Sequence, residues 1–399
     1  MVNKTDVERV PKLRFARFEG EWDSLKLEDV TQKIKDGTHF SPKLYESGRF
    51  KYITSRNIRN GYMDLRNVPF LSDEAHEDIF KRCDVQYNDV LITKDGACTG
   101  NVCLNELVEE FSLLSSVAFI RANKSKADNG YIYQYICCSK GQREVRAAIA
   151  GQAITRITLT KLRNFKFCYP TLPEQKKIAS FLSAVDQKIQ QLTRKKELLE
   201  QYKRGVMQKI FSREIRFKDE NGNDYPDWEE KRLGEVCKFL DAKRIPISEA
   251  ERLHKKGHYP YYGASGIIDY VDDYIFDGEY VLLGEDGANI LNRSTPLAFT
   301  VSGKIWVNNH AHVMEAYGST QFLAESLERI RYEKYNTGTA QPKLNAKICK
   351  NIPIVLPTHS EQQKIASFLS TIDKKIESVK TQLTQTQQFK KGLLQQIFI

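Results

Sequence analysis

Clusters of Arg, Asn and Ser beside a glycine turn are the side chains in this chain that could do the most specific chemistry. Tyr52-Ile-Thr-Ser-Arg-Asn-Ile-Arg-Asn-Gly61 brings together Ser55, Arg56, Asn57, Arg59 and Asn60. Arg forks onto the O6/N7 edge of guanine and Asn onto the N6/N7 edge of adenine, while Ser and Arg also hold phosphates. Pro260-Tyr-Tyr-Gly-Ala-Ser-Gly266 sets Tyr261 and Tyr262 beside Gly263 and Ser265, aromatics next to small residues that permit close backbone approach. Asn308, Asn309 and His310 offer further donors, as do Gln341 and Lys343 after a turn at Gly338. Lys94, in the stretch Lys94-Asp-Gly-Ala that echoes Glu285-Asp-Gly-Ala, completes the candidate set. Each stretch also reads as a solvated turn. The case rests on two such surfaces in one chain.

Catalytic chemistry is harder to find. There is no GxxxxGK[ST] loop for a nucleotide-driven motor and no strand-then-GxGxxG cradle for a dinucleotide or methyl donor. The Asn/Asp-Pro-Pro-aromatic loop of an amino-methyltransferase is missing, and Asn351-Ile-Pro-Ile is only a superficial echo. No carboxylate cluster with a nearby lysine argues for a two-metal nuclease, and no Ser–His–Asp set can be proposed. Cys98 and Cys103 are too widely spaced for a zinc knuckle. His310-Ala-His312 could set two imidazoles on one strand face, though a polar surface is the better reading. The expectation is a chain with no metal and no cofactor of its own.

At 399 residues, with 41% apolar and 28% charged residues, the chain is expected to be globular and to hold two or three domains. No run of eighteen apolar residues exists to span a bilayer, and the charged start MVNKTDVERVPKLRF lacks the apolar core of a secretory signal. The eight scattered cysteines then read as reduced thiols in a cytoplasm. Net charge is +10, but it is uneven: residues 174–211 carry +5 and 361–399 carry +3, whereas 227–352 sum to −2. Seven acids without a base fall between Asp269 and Asp286, so that region would meet nucleic acid only through a local patch.

The elements that must position these residues are announced by repetition. Residues 170–183, PTLPEQKKIASFLS, recur as PTHSEQQKIASFLS at 357–370, and 20 of 43 positions are identical between 169–211 and 356–398. Trp22, Leu27 and Val30 recur as Trp228, Leu233 and Val236, and Arg14-Phe15 echoes Arg216-Phe217. The chain is a tandem duplication in which a variable domain and a repeated segment alternate. In the first repeated segment, apolar residues at Ile178, Leu182, Val185, Ile189, Leu192 and Leu199 follow four-and-three spacing, interrupted at Lys196 and Lys203. Ile365, Leu369, Ile372, Ile376, Val379 and Leu383 do the same in the second, interrupted at Thr386 and Lys390. That is an a/d seam on a helix of roughly 57 Å at 1.5 Å per residue. So narrow a stripe needs a partner, and the other copy is the economical one, antiparallel, which makes the duplication a pseudo-twofold. Packing of each helix on its own domain is the alternative.

Short strands are predicted at Phe50–Thr54, Asp89–Thr93, Tyr280–Gly284 and Lys304–Asn308, with helices at Tyr131–Ile149 and Gln321–Tyr335. The expected fold class is α+β. The expected boundaries are a first domain at 1–170, a first spacer helix at 171–212, a polar linker at 213–226, a second domain at 227–356 and a second spacer helix at 357–399.

Leu172-Pro-Glu-Gln-Lys-Lys-Ile-Ala-Ser-Phe-Leu-Ser with its copy, Pro260-Tyr-Tyr-Gly-Ala-Ser-Gly and Phe276-Asp-Gly-Glu-Tyr-Val-Leu-Leu-Gly-Glu-Asp-Gly-Ala288 form a familiar set. With Val307-Asn-Asn-His and Gly338-Thr-Ala-Gln-Pro-Lys-Leu-Asn345, the chain resembles, over essentially its full length, the DNA specificity subunit of a type I restriction–modification system. The resemblance implies two target recognition domains, each reading half of a split, asymmetric sequence in double-stranded DNA. It implies that the antiparallel helices fix the gap between the halves. Two methylation subunits and, for cleavage, restriction subunits are the implied partners, and S-adenosylmethionine, ATP and Mg are expected on those subunits. The chain itself would be no catalyst. The first domain departs from the pattern, with Gly151-Gln-Ala-Ile-Thr-Arg in place of Gly338-Thr-Ala-Gln-Pro-Lys and no Pro-Tyr-Tyr-Gly stretch. Divergence between equivalent domains is what a reader of two different half-sites requires. A coiled-coil scaffold for other proteins and a stand-alone enzyme remain the competing readings.

Overall fold

The computed structural model describes residues 9–149 and 155–399. The chain forms two compact units, one of residues up to Glu197 together with Ser378–Ile399, the other of Leu198–Glu377.

In the first unit a four-stranded antiparallel sheet runs in the order Thr31–Asp36, Val117–Ala122, Val90–Thr93, Val102–Leu104. Alternation explains why its central strands are apolar throughout. Ala118, Ile120, Val90 and Ile92 face a core shared with the helix Asn129–Cys137, whereas Val117, Phe119 and Leu91 face a second core under a smaller sheet. Strands buried on both faces read as continuous apolar runs. The smaller sheet joins Phe70–Leu71, Phe50–Ile53 and Ser112–Leu113, and its last pair is parallel.

The second unit repeats the scheme with longer strands. Its six-stranded sheet runs Cys237–Phe239, Ala311–Ala316, Phe276–Gly284, Ala298–Val307, Lys256–Gly263, Gly266–Val271. Val281, Leu283 and Met314 enter one core, while Leu282, Ala311 and Val313 enter another. The strands at Phe50, Val90, Tyr280 and Lys304 are thus found where expected, the last two inside longer strands.

Both long domain helices are shorter than predicted. The stretch from Tyr131 breaks at Cys138, whose extended backbone ends Asn129–Cys137 and caps Ser139–Ala148. The Cys138 thiol accepts from Gly141 N at 3.4 Å. A Cβ at Gly141 would lie 2.1 Å from the Tyr135 carbonyl, so the break requires glycine there. In the second unit Thr320–Glu328 ends before a separate short turn at Glu333–Tyr335. Trp22 and Trp228, matched in sequence, are matched in packing: each is buried edge-on against the domain helix, at Tyr131 (6.2 Å) and Phe322 (5.7 Å).

The repeated segments are the helices Leu172–Phe211 and His359–Ile397. Inside the first unit Ile178 and Leu182 share a core with Leu393 and Ile397. Inside the second, Ile210 packs with Ile365, Leu369 and Ile372. The start of each helix therefore meets the end of the other, and the pair is antiparallel. All twelve seam residues from Ile178 to Leu199 and Ile365 to Leu383 are buried or half-buried.

Lys203 and Lys390, which interrupt the apolar stripe, make the same bond twice. Lys203 Nζ lies 2.9 Å from Asp373, and Lys390 Nζ lies 2.5 Å from Asp186. The domain helix adds a third member to each, Glu325 at 3.0 Å from Lys203 and Gln134 at 2.7 Å from Asp186. The duplication extends to the entry of each helix. Arg14 binds the buried Glu174 with two bonds of 2.8 Å, and Arg216 binds the buried Glu361 at 3.2 and 2.8 Å. Leu13 N donates to Gln396 O and Ile215 N to Lys209 O, residues 187 apart in the repeat.

Candidate nucleic-acid interface

In each unit four loops are stitched together at one end of the main sheet, by the same backbone bonds. In the first unit Leu114 N donates to Ile53 O, Lys94 N to Ser116 O, Gly96 N to Thr155 O and Ile157 N to Lys94 O, all at 2.8–3.0 Å. In the second, Asn308 N donates to Tyr262 O, Glu285 N to His310 O, Gly287 N to Pro342 O and Leu344 N to Glu285 O, all at 2.7–3.0 Å. The strand pairs Tyr52↔Ser112 and Tyr261↔Trp306 hold the same place. So Lys51-Tyr52-Ile53-Thr54 is the first domain's counterpart of Pro260-Tyr-Tyr-Gly, although the two share only one tyrosine. Of the divergent stretch after Gly151, residues 151–154 lie outside the described residues.

The candidates divide between loop surface and loop support. Arg56, Ser265, Asn309, His310, Gln341 and Lys343 are exposed on the loops. Ser55 and Tyr262 are half-buried beside them, Ser55 N donating to Ser116 Oγ at 3.2 Å. Five others are buried: Gly263, where a Cβ would lie 2.3 Å from Ile268 Cδ1, and four whose polar side chains are engaged inside the domain. Asn57 accepts from Thr54 N at 2.9 Å and donates to Asp64 O at 3.0 Å, so it shapes the turn that presents Arg56. Tyr261 bonds both N and O of Ile247 through its hydroxyl. Asn308 accepts from His310 N at 2.8 Å. Lys94, only 2% exposed, lies between Asp36 (3.2 Å) and Asp95 (3.1 Å). Lys94 and Asn57 thus hold the loops from within, because moving either outward would break buried polar pairs. Arg59, 4.0 Å from Asp64, and the exposed Asn60, which accepts from Val102 N, lie on the hairpin beyond the loops.

Arg156 stands beside these loops although it is not among the sequence candidates. It is exposed, and its backbone bridge to Asp95 matches that of Lys343 to Asp286. The signal was available, since the Gly151 and Gly338 stretches align Arg156 with Lys343.

A buried cation sits beneath the loops of each domain, supplied from different strands. Asp36 ends its strand, and Asp241 follows the end of the equivalent strand Cys237–Phe239 by two residues. Asp36 is met by Lys94, whereas Asp241 is met by His312 at 2.7 Å. The other ring nitrogen of His312 lies 2.9 Å from Leu344 O. Both partners only accept, so the ring donates from both nitrogens and is an imidazolium. Burial alone would lower its pKa, but the Asp241 carboxylate and Cys349 outweigh that and push it up to about 10. His310 and His312, a possible metal pair by sequence spacing, are therefore separated in role: His312 is an internal cation and His310 Nδ1 faces Asp286 at 2.8 Å.

A folded-state pKa above the ordinary 6.5 means this contribution is complete below about pH 6.5 and lost as pH rises through about 10. The second unit is expected to lose stability progressively over that window. In His312→Gln this slope disappears, as urea unfolding followed by Trp fluorescence at several pH values will check.

These loops suit an anionic, edge-bearing ligand better than a small molecule: the surface is open and carries Arg, Lys, Asn, Gln and His. Comparison with known proteins points the same way. A family profile described as "Type I restriction modification DNA specificity domain" matches twice, at residues 19–201 and 225–388. A putative type I restriction enzyme specificity subunit of Haemophilus influenzae is 35% identical over 145 residues, 36% of each chain. The MjaVIII specificity subunit of Methanocaldococcus jannaschii is 24% identical over 97% of this chain and 94% of its own. The crystal structure of a type I S subunit from M. genitalium shares the fold over 98% of this chain and 99% of its own, with a TM-score of 0.69 at 18% identity. Two profile matches covering most of the chain, on the two domains that carry the stitched loops, place it: it belongs to the family of type I restriction–modification DNA specificity (S) subunits.

Proposed function

We propose that the chain reads a split, asymmetric target in duplex DNA, each unit reading one half. It recruits two methylation subunits that modify adenine and, for cleavage, restriction subunits that run on ATP. As an S subunit it is not the catalyst; S-adenosylmethionine, ATP and Mg act on the partner subunits. Among the described residues no group of three or more His, Cys, Asp or Glu could hold a metal, and no helix is long and apolar enough to cross a membrane.

One observation carries the reading. The same four loops, joined by the same backbone bonds, present different side chains: Arg56 and Arg156 in the first domain, Ser265, Asn309, His310 and Lys343 in the second. A shared framework with divergent edges is how two related domains would read two different sequences. The methylation partner would flip its adenine from the duplex, a step that needs the S subunit only to set position.

The test is a genome-wide map of methylated adenine in the native strain with and without this coding sequence. Loss of one split, asymmetric motif on deletion is the expected result, and it delivers both half-sites and the gap. An unchanged map, with purified chain plus methylation subunits indifferent to duplex DNA, would favour a coiled-coil scaffold instead.

A further inference from the structure

Each stitched loop cluster carries, at the same place, a carboxylate that a DNA reader should avoid. Asp95 and Asp286 occupy equivalent places, after Lys94 and Glu285, and each would repel phosphate. Each is also only partly exposed and committed to a neighbour. Asp95 Oδ1 lies 3.2 Å from Arg156 Nε, and this buried oxygen makes no hydrogen bond; its other oxygen accepts from Lys94. Asp286 holds His310 Nδ1 with both oxygens, at 2.8 and 3.0 Å. The held side chains remain outward, Arg156 at 56% and His310 at 49% exposure.

Building on the DNA-reading function proposed above, we propose that Asp95 and Asp286 are positioning residues. Asp95 aims the Arg156 guanidinium, and Asp286 aims the His310 ring, at base edges in the first and second half-sites. The carboxylate lies against the Nε side of the largely exposed Arg156 and does not occupy its two terminal nitrogens, the fork that matches guanine O6 and N7. It uses Nδ1 of His310 and leaves Nε2 as the one outward nitrogen. The equivalent carboxylate therefore sets up a two-bond reader in one domain and a one-bond reader in the other. His310 has no histidine counterpart in the first domain: Ser116 stands at its place and accepts from Ser55 N. Asymmetry between the half-sites then follows from which neighbour the shared aspartate holds.

The experiment uses the full chain assembled with its methylation subunits and a pool of duplexes randomised across the target, bound fractions being sequenced for wild type and variants. Asp286→Asn should relax one position of the second half-site, the same position that His310→Ala relaxes, with little further effect in the double variant. Asp95→Asn and Arg156→Ala should together mark one guanine position in the first half-site. Loss of a forked contact should reduce preference there roughly ten- to hundredfold, and loss of the single His310 bond should reduce it less. Each variant should leave the opposite half-site unchanged, and Arg156→Ala, His310→Ala and Asp286→Asn should leave thermal unfolding unchanged, whereas Asp95→Asn also removes a partner of the buried Lys94 and lowers it. Uniform weakening on all sequences, or different positions relaxed by an aspartate and its partner, overturns the proposal. A wild-type assembly with no sequence preference overturns the DNA-reading function itself, and this inference with it.

Discussion

Arg216→Ala is expected to destabilise the second unit by roughly 3–5 kcal/mol, and Arg14→Ala the first unit by a similar amount, because each strands a buried carboxylate. Glu361 is fully buried and Glu174 is 1% exposed, and each gives both oxygens to its arginine. Each guanidinium also binds backbone carbonyls of its own segment, Gly20 and Glu19 for Arg14, Pro226 for Arg216. The pair thus ties an extended segment to the first turn of a spacer helix, with Phe15 against Phe181 and Phe217 against Phe368 beside it. Denaturant unfolding checks the single variants. The paired replacement Arg216→Met with Glu361→Leu should recover most of the loss, since an apolar pair leaves no charge to desolvate. A single variant costing under about 1 kcal/mol, the range of a surface pair, would show that water reaches the carboxylate.

Removing residues 191–197 and 378–384 together is expected to shorten the recognised gap by about three base pairs, or to abolish binding. Seven helical residues are about 10.5 Å long, and duplex DNA rises about 3.4 Å per base pair. The two deletions are related by the repeat, so they keep the apolar spacing and both Lys–Asp pairs. Shifting the half-sites by three base pairs also turns one relative to the other around the duplex, which is why loss of binding is the alternative outcome. Methylome mapping of cells carrying the shortened chain reads the gap directly. An unchanged gap would overturn the role of the helices as a ruler.

The helices were legible because a coiled-coil seam writes itself into sequence at fixed spacing, and because the chain states it twice. The antiparallel pairing followed from economy of connection, and Ile178 beside Leu393 and Ile210 beside Ile365 give it directly. The ends of the domain helices were not legible. Cys138 reads as another apolar helix residue, and only the backbone approach at Gly141 shows why the helix must stop there. At the loops, residue type was a fair guide to which segments meet but not to what each side chain does. Asn57 and Arg56 are neighbours with equal claim as base readers, yet one is bonded into the turn and the other is free at its tip. Lys94 belongs to the DNA-binding candidate set, and two aspartates, one from a distant strand and one from its own loop, hold it inside. Such distinctions depend on partners far away in sequence, and no local pattern carries them. The equivalence of Lys51-Tyr52-Ile53-Thr54 with Pro260-Tyr-Tyr-Gly was hidden for the same reason: strand pairing preserves it while side chains drift.

The lysines in the seam give the helix pair a property that apolar packing alone would not. Sliding one helix past the other by a heptad keeps the two apolar stripes in phase. It also moves Lys203 opposite Ala366 or Lys380 instead of Asp373, and Lys390 opposite Ala179 or Thr193 instead of Asp186. Two half-buried cations would then lose their aspartate partners at once, and the slipped state is penalised although its apolar stripes stay in phase. The pair behaves as a calliper with a single detent, and both halves of the duplication carry the notch. For the gap-setting role that the resemblance implies, resistance to creep matters more than resistance to unfolding, and these two ion pairs act on creep.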